Sequence, residues 1–153
     1  MPYKLFKLAY DSGIKVEYLD MQTELEAFYL CRPDCPPIIA LSEKLFENKA
    51  HYRTVFAHEL GHHFTGTKSN VTHTYMHYKD RIEMNREEYY AMAWAAEYLM
   101  PDDDIDEAFQ KGIMEISDLG RYFTVDAELV KLRLVLFFCK YRRKNISNKT
   151  DGG

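Results

Sequence analysis

The chain has few of the residues that build disulfide frameworks, membrane spans or nucleic-acid surfaces. It contains only three cysteines among 153 residues, so we expect free thiols and a reducing cytoplasm. Cys31 and Cys35 resemble half of a metal knuckle, but no second pair follows them. The longest apolar run, residues 134–139, is far too short to cross a bilayer. The net charge of −4 gives no support for non-specific nucleic-acid binding.

The sequence near the start does not have the pattern of a targeting signal. The first apolar stretch is interrupted by Lys4, Lys7 and Asp11, so we expect no secretory signal. Hydrophobic residues make up 46% and charged residues 29%, which is typical of a globular protein and argues against extensive disorder. We therefore predict a single domain over residues 1–141 and a flexible polar tail over residues 142–153.

The hydrophobic pattern predicts a small sheet followed mainly by helices. Apolar and polar residues alternate in a predicted strand at residues 14–18, and two further strands are predicted at residues 26–31 and 38–41, the last after a break at Pro36 and Pro37. Helices are predicted at residues 3–12, 49–65 and 83–100, with two or three shorter helices ending near residue 141. Residues 66–81 have no clear period and are assigned to a long loop.

The strongest chemical signal is His58-Glu59-Leu60-Gly61-His62, inside the second predicted helix. Residues four apart share one helix face, so both imidazoles can bind one zinc ion, with Glu59 placed to take a proton from the metal-bound water. Gly61 should cost about 1 kcal/mol relative to alanine, so we expect another backbone or a substrate to approach closely there. Two surface histidines, the alternative interpretation, explain neither Glu59 nor Gly61.

Two histidines are too few protein ligands for a catalytic zinc ion, so a third ligand must come from an element that packs across this helix. The next long helix offers four carboxylates: Glu83, Glu87, Glu88 and Glu97. Ala91, Ala95 and Leu99 follow at roughly helical spacing, which places Glu87 and Glu88 at the border of the buried face. Periodicity alone does not choose among the four.

A family resemblance favours one of them. The chain resembles the ImmA/IrrE-type metallopeptidases of phage and mobile-element regulators in two stretches. The first is Phe56-Ala-His-Glu-Leu-Gly-His-His63, and the second is Glu88-x-x-Ala91-x-x-Trp94-Ala95-x-x-x-Leu99-Met100-Pro101. The likeness covers most of residues 15–135. It implies zinc ligation by His58, His62 and Glu88, with Glu87 as the fallback, and Glu59 as the acid/base carboxylate. Many members carry a second acidic residue and an Asn or Asp in the same helix, where this chain has Tyr90 and Met92.

The resemblance also implies a fold and an activity. The expected fold class is α+β, a small N-terminal three-stranded sheet packed on a mainly helical, zincin-like domain that carries the H-E-x-x-H helix. Similar proteins cleave a cognate helix-turn-helix repressor, so we expect a protein substrate, with no nucleic-acid or membrane partner, in the cytoplasm. The rival hypothesis is a zinc-containing binding module that sequesters the repressor with little or no proteolysis.

Other residues have more open interpretations. Peptide hydrolysis needs a donor for the oxyanion, and the sequence does not select among His63, His73, Tyr75 and His77. His63 points about 100° away from His62 around the helix, so we do not expect it to bind the metal. The acidic run at residues 102–107 is typical of a helix N-terminus. Residues 116–133 resemble a helix-turn-helix, but the acidic balance favours a packing or substrate-docking role.

Overall fold

The fold consists of a three-stranded sheet followed mainly by α-helices. A computed structural model describes residues 3–22, 24–68 and 86–150, with side chains up to residue 147. Helix α1 (Tyr3–Asp11) precedes strands β1 (Lys15–Leu19), β2 (Ala27–Arg32) and β3 (Cys35–Ser42). A short 3-10 helix (Glu43–Glu47) then leads into α2 (Lys49–Thr65), α3 (Arg86–Leu99), α4 (Asp102–Gln110), α5 (Ile116–Phe123) and α6 (Ala127–Thr150). The predicted α+β class is confirmed.

The sheet has the order β1-β3-β2, so the last strand in sequence lies in the middle. β1 pairs with β3 in parallel, whereas β2 and β3 form an antiparallel hairpin. Ile39 on β3 faces Val16 on one side and Tyr29 on the other, and it is completely buried. Because β3 has a neighbour on each side, it carries the buried centre of the sheet, and β2 lies at one edge next to α2.

The strand predicted at residues 38–41 begins earlier than expected, at Cys35, and includes both prolines that were predicted to break it. The antiparallel ladder is irregular at this point, between the pairs Leu30–Ile38 and Arg32–Cys35. β1 pairs with β3 only from Ile38 onward. Pro36 and Pro37 therefore lie where the ladder is irregular on one side and has ended on the other, so their missing N–H groups cost little.

Helix α2 begins and ends at local signals that the sequence contains. The Asn48 side chain accepts a hydrogen bond from the backbone N–H of His51 (3.1 Å), which caps the first turn. At the other end Gly66 adopts the left-handed conformation (φ 66°), which glycine tolerates and which ends the helix. The predicted bounds of 49–65 are confirmed. Every residue from Thr54 to His62 is buried, because this helix lies between the sheet and α3.

Helices α2 and α3 cross at Gly61 with almost no space between their backbones. A Cβ atom at Gly61 would lie only 2.2 Å from the carbonyl oxygen of Ala91. The close approach expected at this glycine is therefore the backbone of α3. One turn farther along both helices, Phe64, Trp94 and Tyr98 form a stack, with ring centroids 4.8 Å and 5.0 Å apart. This stack holds the two helices together beside the crossing.

The second long helix was predicted from residue 83, and the described part, α3, begins at Arg86. Glu83, most of the predicted 66–81 loop, and the oxyanion candidates His73, Tyr75 and His77 lie outside the described residues. The acidic run begins helix α4 at Asp102, as expected. Among the described residues, no helix combines the length and apolar character needed to cross a membrane.

The last helix enters the segment predicted as a flexible polar tail. Helix α6 continues to Thr150, so residues 142–150 are helical. The described side chains from Cys139 to Ser147 are exposed, in keeping with their polar character. A helix that is already nucleated and packed upstream can continue at little cost, since each added residue contributes one more hydrogen bond.

The predicted helix-turn-helix stretch corresponds to α5, a three-residue turn and the first part of α6. The turn packs against the first half of α2. Arg53 donates a hydrogen bond to the carbonyl of Thr124 (3.1 Å), and the hydroxyl of Thr54 accepts one from the backbone N–H of Asp126 (3.0 Å). These contacts support the packing role that the sequence favours for residues 116–133.

Candidate metal centre

Three side chains predicted as metal ligands lie together where α2 crosses α3. Nε2 of His58 lies 2.9 Å from Oε2 of Glu88, and Nε2 of His62 lies 3.3 Å from the same oxygen. The rings of His58 and His62 have centroids 4.8 Å apart, as expected for residues one helical turn apart. All three side chains are completely buried. Their arrangement forms a cluster of two nitrogens and one oxygen that could hold a metal ion.

The crossing at Gly61 produces this arrangement. His58 and His62 flank Gly61 on α2, and Glu88 lies one turn before Ala91 on α3. Since Gly61 has no side chain, the turn that carries Glu88 can approach the turn that carries both histidines. Two carboxylate–imidazole contacts completely inside a protein are expensive unless charge is balanced there, and a divalent cation provides that balance.

The hydrogen bonding of His62 fits a metal ligand. Its Nδ1 lies 2.9 Å from Oγ1 of Thr67, which holds the ring from the side opposite Glu88. Its Nε2 is buried and makes no hydrogen bond to any of the described residues. A ligating histidine usually has its second ring nitrogen held by a hydrogen bond, and Thr67 supplies that contact here. Two imidazoles and one carboxylate also match the ligand preferences of zinc.

Glu59 also lies inside this part of the molecule, and its side chain is completely buried. It follows His58 directly on α2, so it belongs to the same turn as the first histidine of the cluster. An acidic side chain is rarely fully buried unless it has a specific partner or role. Its position is consistent with the predicted acid/base role.

The two other carboxylate candidates among the described residues, Glu87 and Glu97, lie away from the histidines. Glu87, the fallback ligand, is exposed, and its Oε2 accepts a hydrogen bond from the backbone N–H of Lys68 (3.4 Å). Glu97 pairs with Lys140 on α6 (3.1 Å). Of the four glutamates named from the sequence, Glu88 alone is brought to the histidines among the described residues.

His63 has a separate environment, in agreement with the expectation that it is not a ligand. Its Nδ1 lies 3.0 Å from the hydroxyl of Tyr29 on the edge strand β2, and the two rings meet edge to face. Partial burial lowers the pKa of His63 below its ordinary value. The contact attaches the end of α2 to the sheet.

Sequence reasoning did not identify Thr67, which contacts His62 from outside the helix. Gly66 could have indicated this contact, because a left-handed glycine at a helix end turns the chain back over the last turn of the helix. The residue after such a glycine then lies beside the residue five positions before it, and here that residue is His62.

Comparison with known proteins supports the interpretation of the site. The profile of the family described as the IrrE N-terminal-like domain, Peptidase_M78, matches residues 9–135. No curated protein and no solved structure matched the chain. The matched region contains the sheet, the histidines of α2 and Glu88 of α3. Because the match extends over far more than half of the sequence and includes the whole candidate metal centre, the chain belongs to the Peptidase_M78 family, a family of metallopeptidases.

Proposed function

We propose that this protein is a zinc-dependent endopeptidase that cleaves a peptide bond in a cognate helix-turn-helix repressor and so relieves repression of a phage or mobile element. The observation that carries the proposal is the buried cluster of His58, His62 and Glu88 in a chain of a metallopeptidase family. Zinc is the proposed metal because the donor set combines two imidazoles with one carboxylate. The repressor is proposed from the resemblance to regulators of mobile elements.

The proposed roles follow from the chemistry of the side chains. His58, His62 and Glu88 would hold the metal, whose bound form supplies Lewis acidity that polarises a peptide carbonyl and acidifies water. Glu59 would accept the proton of the attacking water and return it to the leaving nitrogen. His63, His73, Tyr75 or His77 would stabilise the oxyanion.

A binding module is the second candidate function. In that case the protein would hold zinc structurally and inactivate the repressor by sequestration. The complete burial of Glu59 together with the three proposed ligands is the observation that favours it, because a structural metal site is closed to substrate. The two functions differ in what they require of Glu59.

The metal is tested by elemental analysis of protein purified without added metal. We expect about one zinc per chain in the wild type and its loss in Glu88→Ala. Glu87→Ala is the matched control, because it removes the neighbouring carboxylate, which is exposed and accepts a hydrogen bond from the Lys68 amide. Zinc retained in Glu88→Ala but lost in Glu87→Ala would reverse the assignment.

Proteolysis is tested by profiling new N-termini in cells that produce the wild type or Glu59→Gln. Removing the general base should slow cleavage by about 10²- to 10⁴-fold while leaving zinc bound. We expect a new N-terminus within a helix-turn-helix repressor in wild-type cells only. Relief of repression by Glu59→Gln, with the repressor intact, would instead establish sequestration.

A further inference from the structure

We infer that Thr67, with Thr65, is a positioning residue that fixes the tautomer of His62 so that Nε2 presents its lone pair to the metal. Three contacts form a continuous chain: His62 Nδ1 to Thr67 Oγ1 (2.9 Å), Thr67 Oγ1 to Thr65 Oγ1 (2.8 Å), and Thr65 Oγ1 to the carbonyl oxygen of Gly61 (2.7 Å). This inference rests on the proposed function, since it concerns a ligand of the proposed metal.

The direction of each hydrogen bond follows from the last acceptor in the series, the carbonyl oxygen of Gly61. The carbonyl oxygen of Gly61 can only accept, so the Thr65 hydroxyl donates to it. A hydroxyl has one hydrogen, so Thr65 must accept from Thr67. The hydrogen of Thr67 is then used as well, and Thr67 must accept from Nδ1 of His62. Nδ1 therefore carries a proton, and Nε2, which lies 3.3 Å from Oε2 of Glu88, is the ring nitrogen that a metal would take.

The helix end places Thr67 for this task. Gly66 in the left-handed conformation turns the chain back, so that the backbone N–H of Thr67 donates to the carbonyl of His62 (3.0 Å). Thr67 thus contacts both the backbone and the ring of the same residue. Because the backbone bond fixes the position of Thr67, its hydroxyl is held beside Nδ1 before any metal arrives.

Zinc affinity tests the inference in the whole protein. Loss of the partner of a ligating histidine typically weakens metal binding by about 10- to 100-fold, so we expect Thr67→Val to raise the zinc dissociation constant by that factor in chelator competition. Thr67→Ser keeps the hydroxyl and should stay within about threefold of the wild type. An unchanged constant in Thr67→Val, or an equal loss in Thr67→Ser, would overturn the inference.

Thr54→Val is the matched control. Thr54 is a buried threonine on α2, the helix that carries His62, and its hydroxyl accepts a hydrogen bond from the Asp126 amide near the other end of that helix. Its replacement should lower stability without weakening zinc binding. If Thr54→Val weakened zinc binding as much as Thr67→Val, the effect would reflect general loosening of α2, and the inference would be wrong.

A measurement without metal separates this inference from the proposed function. Nitrogen-15 spectra of the histidine rings in metal-free wild type should show a proton on Nδ1 of His62, with assignment by comparison with His62→Gln. Thr67→Val should lose this preference, and Thr67→Ser should restore it. An unprotonated Nδ1 in the metal-free wild type would contradict the hydroxyl chain. Failure of the wild type to bind zinc would contradict the proposed function, while the ring tautomer would still decide the role of Thr67.

Discussion

At the scale of single residues, the histidines of this chain have different roles because they have different neighbours. His58 and His62 face a buried carboxylate, and His63 contacts a tyrosine hydroxyl on the sheet. His51 lies between two acids, with Nδ1 2.6 Å from Asp126 and Nε2 2.8 Å from Glu26. His51 therefore connects the first turn of α2 to the start of β2 and to the α5–α6 turn.

The pairing of His51 with Asp126 and Glu26 predicts a pH-dependent contribution to the free energy of unfolding. The hydrogen bonds to Asp126 and Glu26 raise the pKa of His51 from 6.5 to about 10. Since the folded-state value lies above the ordinary one, the contribution is complete below pH 6.5 and is lost as the pH rises through about 10. His51→Gln should cost about 2 kcal/mol of unfolding free energy near neutral pH, where hydrogen bonds to a charged group are lost.

Chemical denaturation of the wild type and His51→Gln tests this prediction. The difference in unfolding free energy should be largest near about pH 6 and should shrink by about pH 10.5. Comparing the two proteins at each pH removes the titration of groups that they share. Asp126→Asn should, like His51→Gln, reduce the pH dependence of the unfolding free energy. If the difference in unfolding free energy stayed constant over this pH range, the proposed pairing of a charged His51 with the two acids would be contradicted.

At the scale of elements, the crossing of α2 and α3 determines whether the metal centre exists. Gly61 allows the contact with Ala91, and the stacked rings of Phe64, Trp94 and Tyr98 hold the helices together one turn away. A side chain at Gly61 would meet backbone atoms, which cannot move aside as a flexible side chain can. The helices would have to separate, and Glu88 would move away from both histidines.

Gly61→Ala should therefore lower both stability and zinc affinity, although alanine has the higher helix propensity. The propensity gain is about 1 kcal/mol, whereas overpacking of a tight contact costs about 1 to 3 kcal/mol or more. Thermal unfolding and chelator competition measure the two effects. The double variant Gly61→Ala/Ala91→Gly should be no better, because the clash is with the backbone carbonyl at position 91. Recovery in the double variant would contradict this explanation.

At the scale of the whole molecule, the first part of α6 packs against the other helices, and its last part carries exposed side chains. Arg133 is almost completely buried; it donates to the carbonyl of Met100 (2.6 Å) and also pairs with Asp102 at the start of α4. This pairing holds the pKa of Asp102 below its ordinary value. Farther along, the described side chains of residues 139–147 are exposed. The part of α6 that stabilises the fold therefore ends before the helix does.

Truncation after Tyr141 tests the proposed division into a domain of residues 1–141 and an appended segment. Because the described side chains that it removes, 142–147, are exposed, the truncation should change the free energy of unfolding by no more than about 0.5 kcal/mol and leave zinc binding unchanged. The truncation removes four basic side chains and one acidic one, so unfolding should be compared at moderate salt. Replacing Arg133 with Met in the full chain is the contrasting variant, because it removes a buried partner of Met100 and Asp102. A truncated chain as unstable as that variant would place residues 142–153 inside the domain.

Much of the site was predictable because it depends on local geometry. His58, Glu59 and His62 share one helical turn, and helical spacing alone brings both imidazoles to one face. Asn48 and Gly66 mark the ends of that helix by hydrogen bonding and backbone conformation that act within a few residues. The hydrophobic pattern indicated three strands, although not their order or the inclusion of Pro36 and Pro37.

The sequence by itself determined the pair of histidines, the glutamate between them and the need for a glycine at the close contact. Only the tertiary structure decided that Glu88, rather than Glu87 or Glu97, faces the histidines, and that Thr67 holds His62. It also decided the position of β3 in the middle of the sheet. The physical reason is that periodicity places a residue on a face of its own helix, whereas the partner of that face depends on how two distant segments cross and pack.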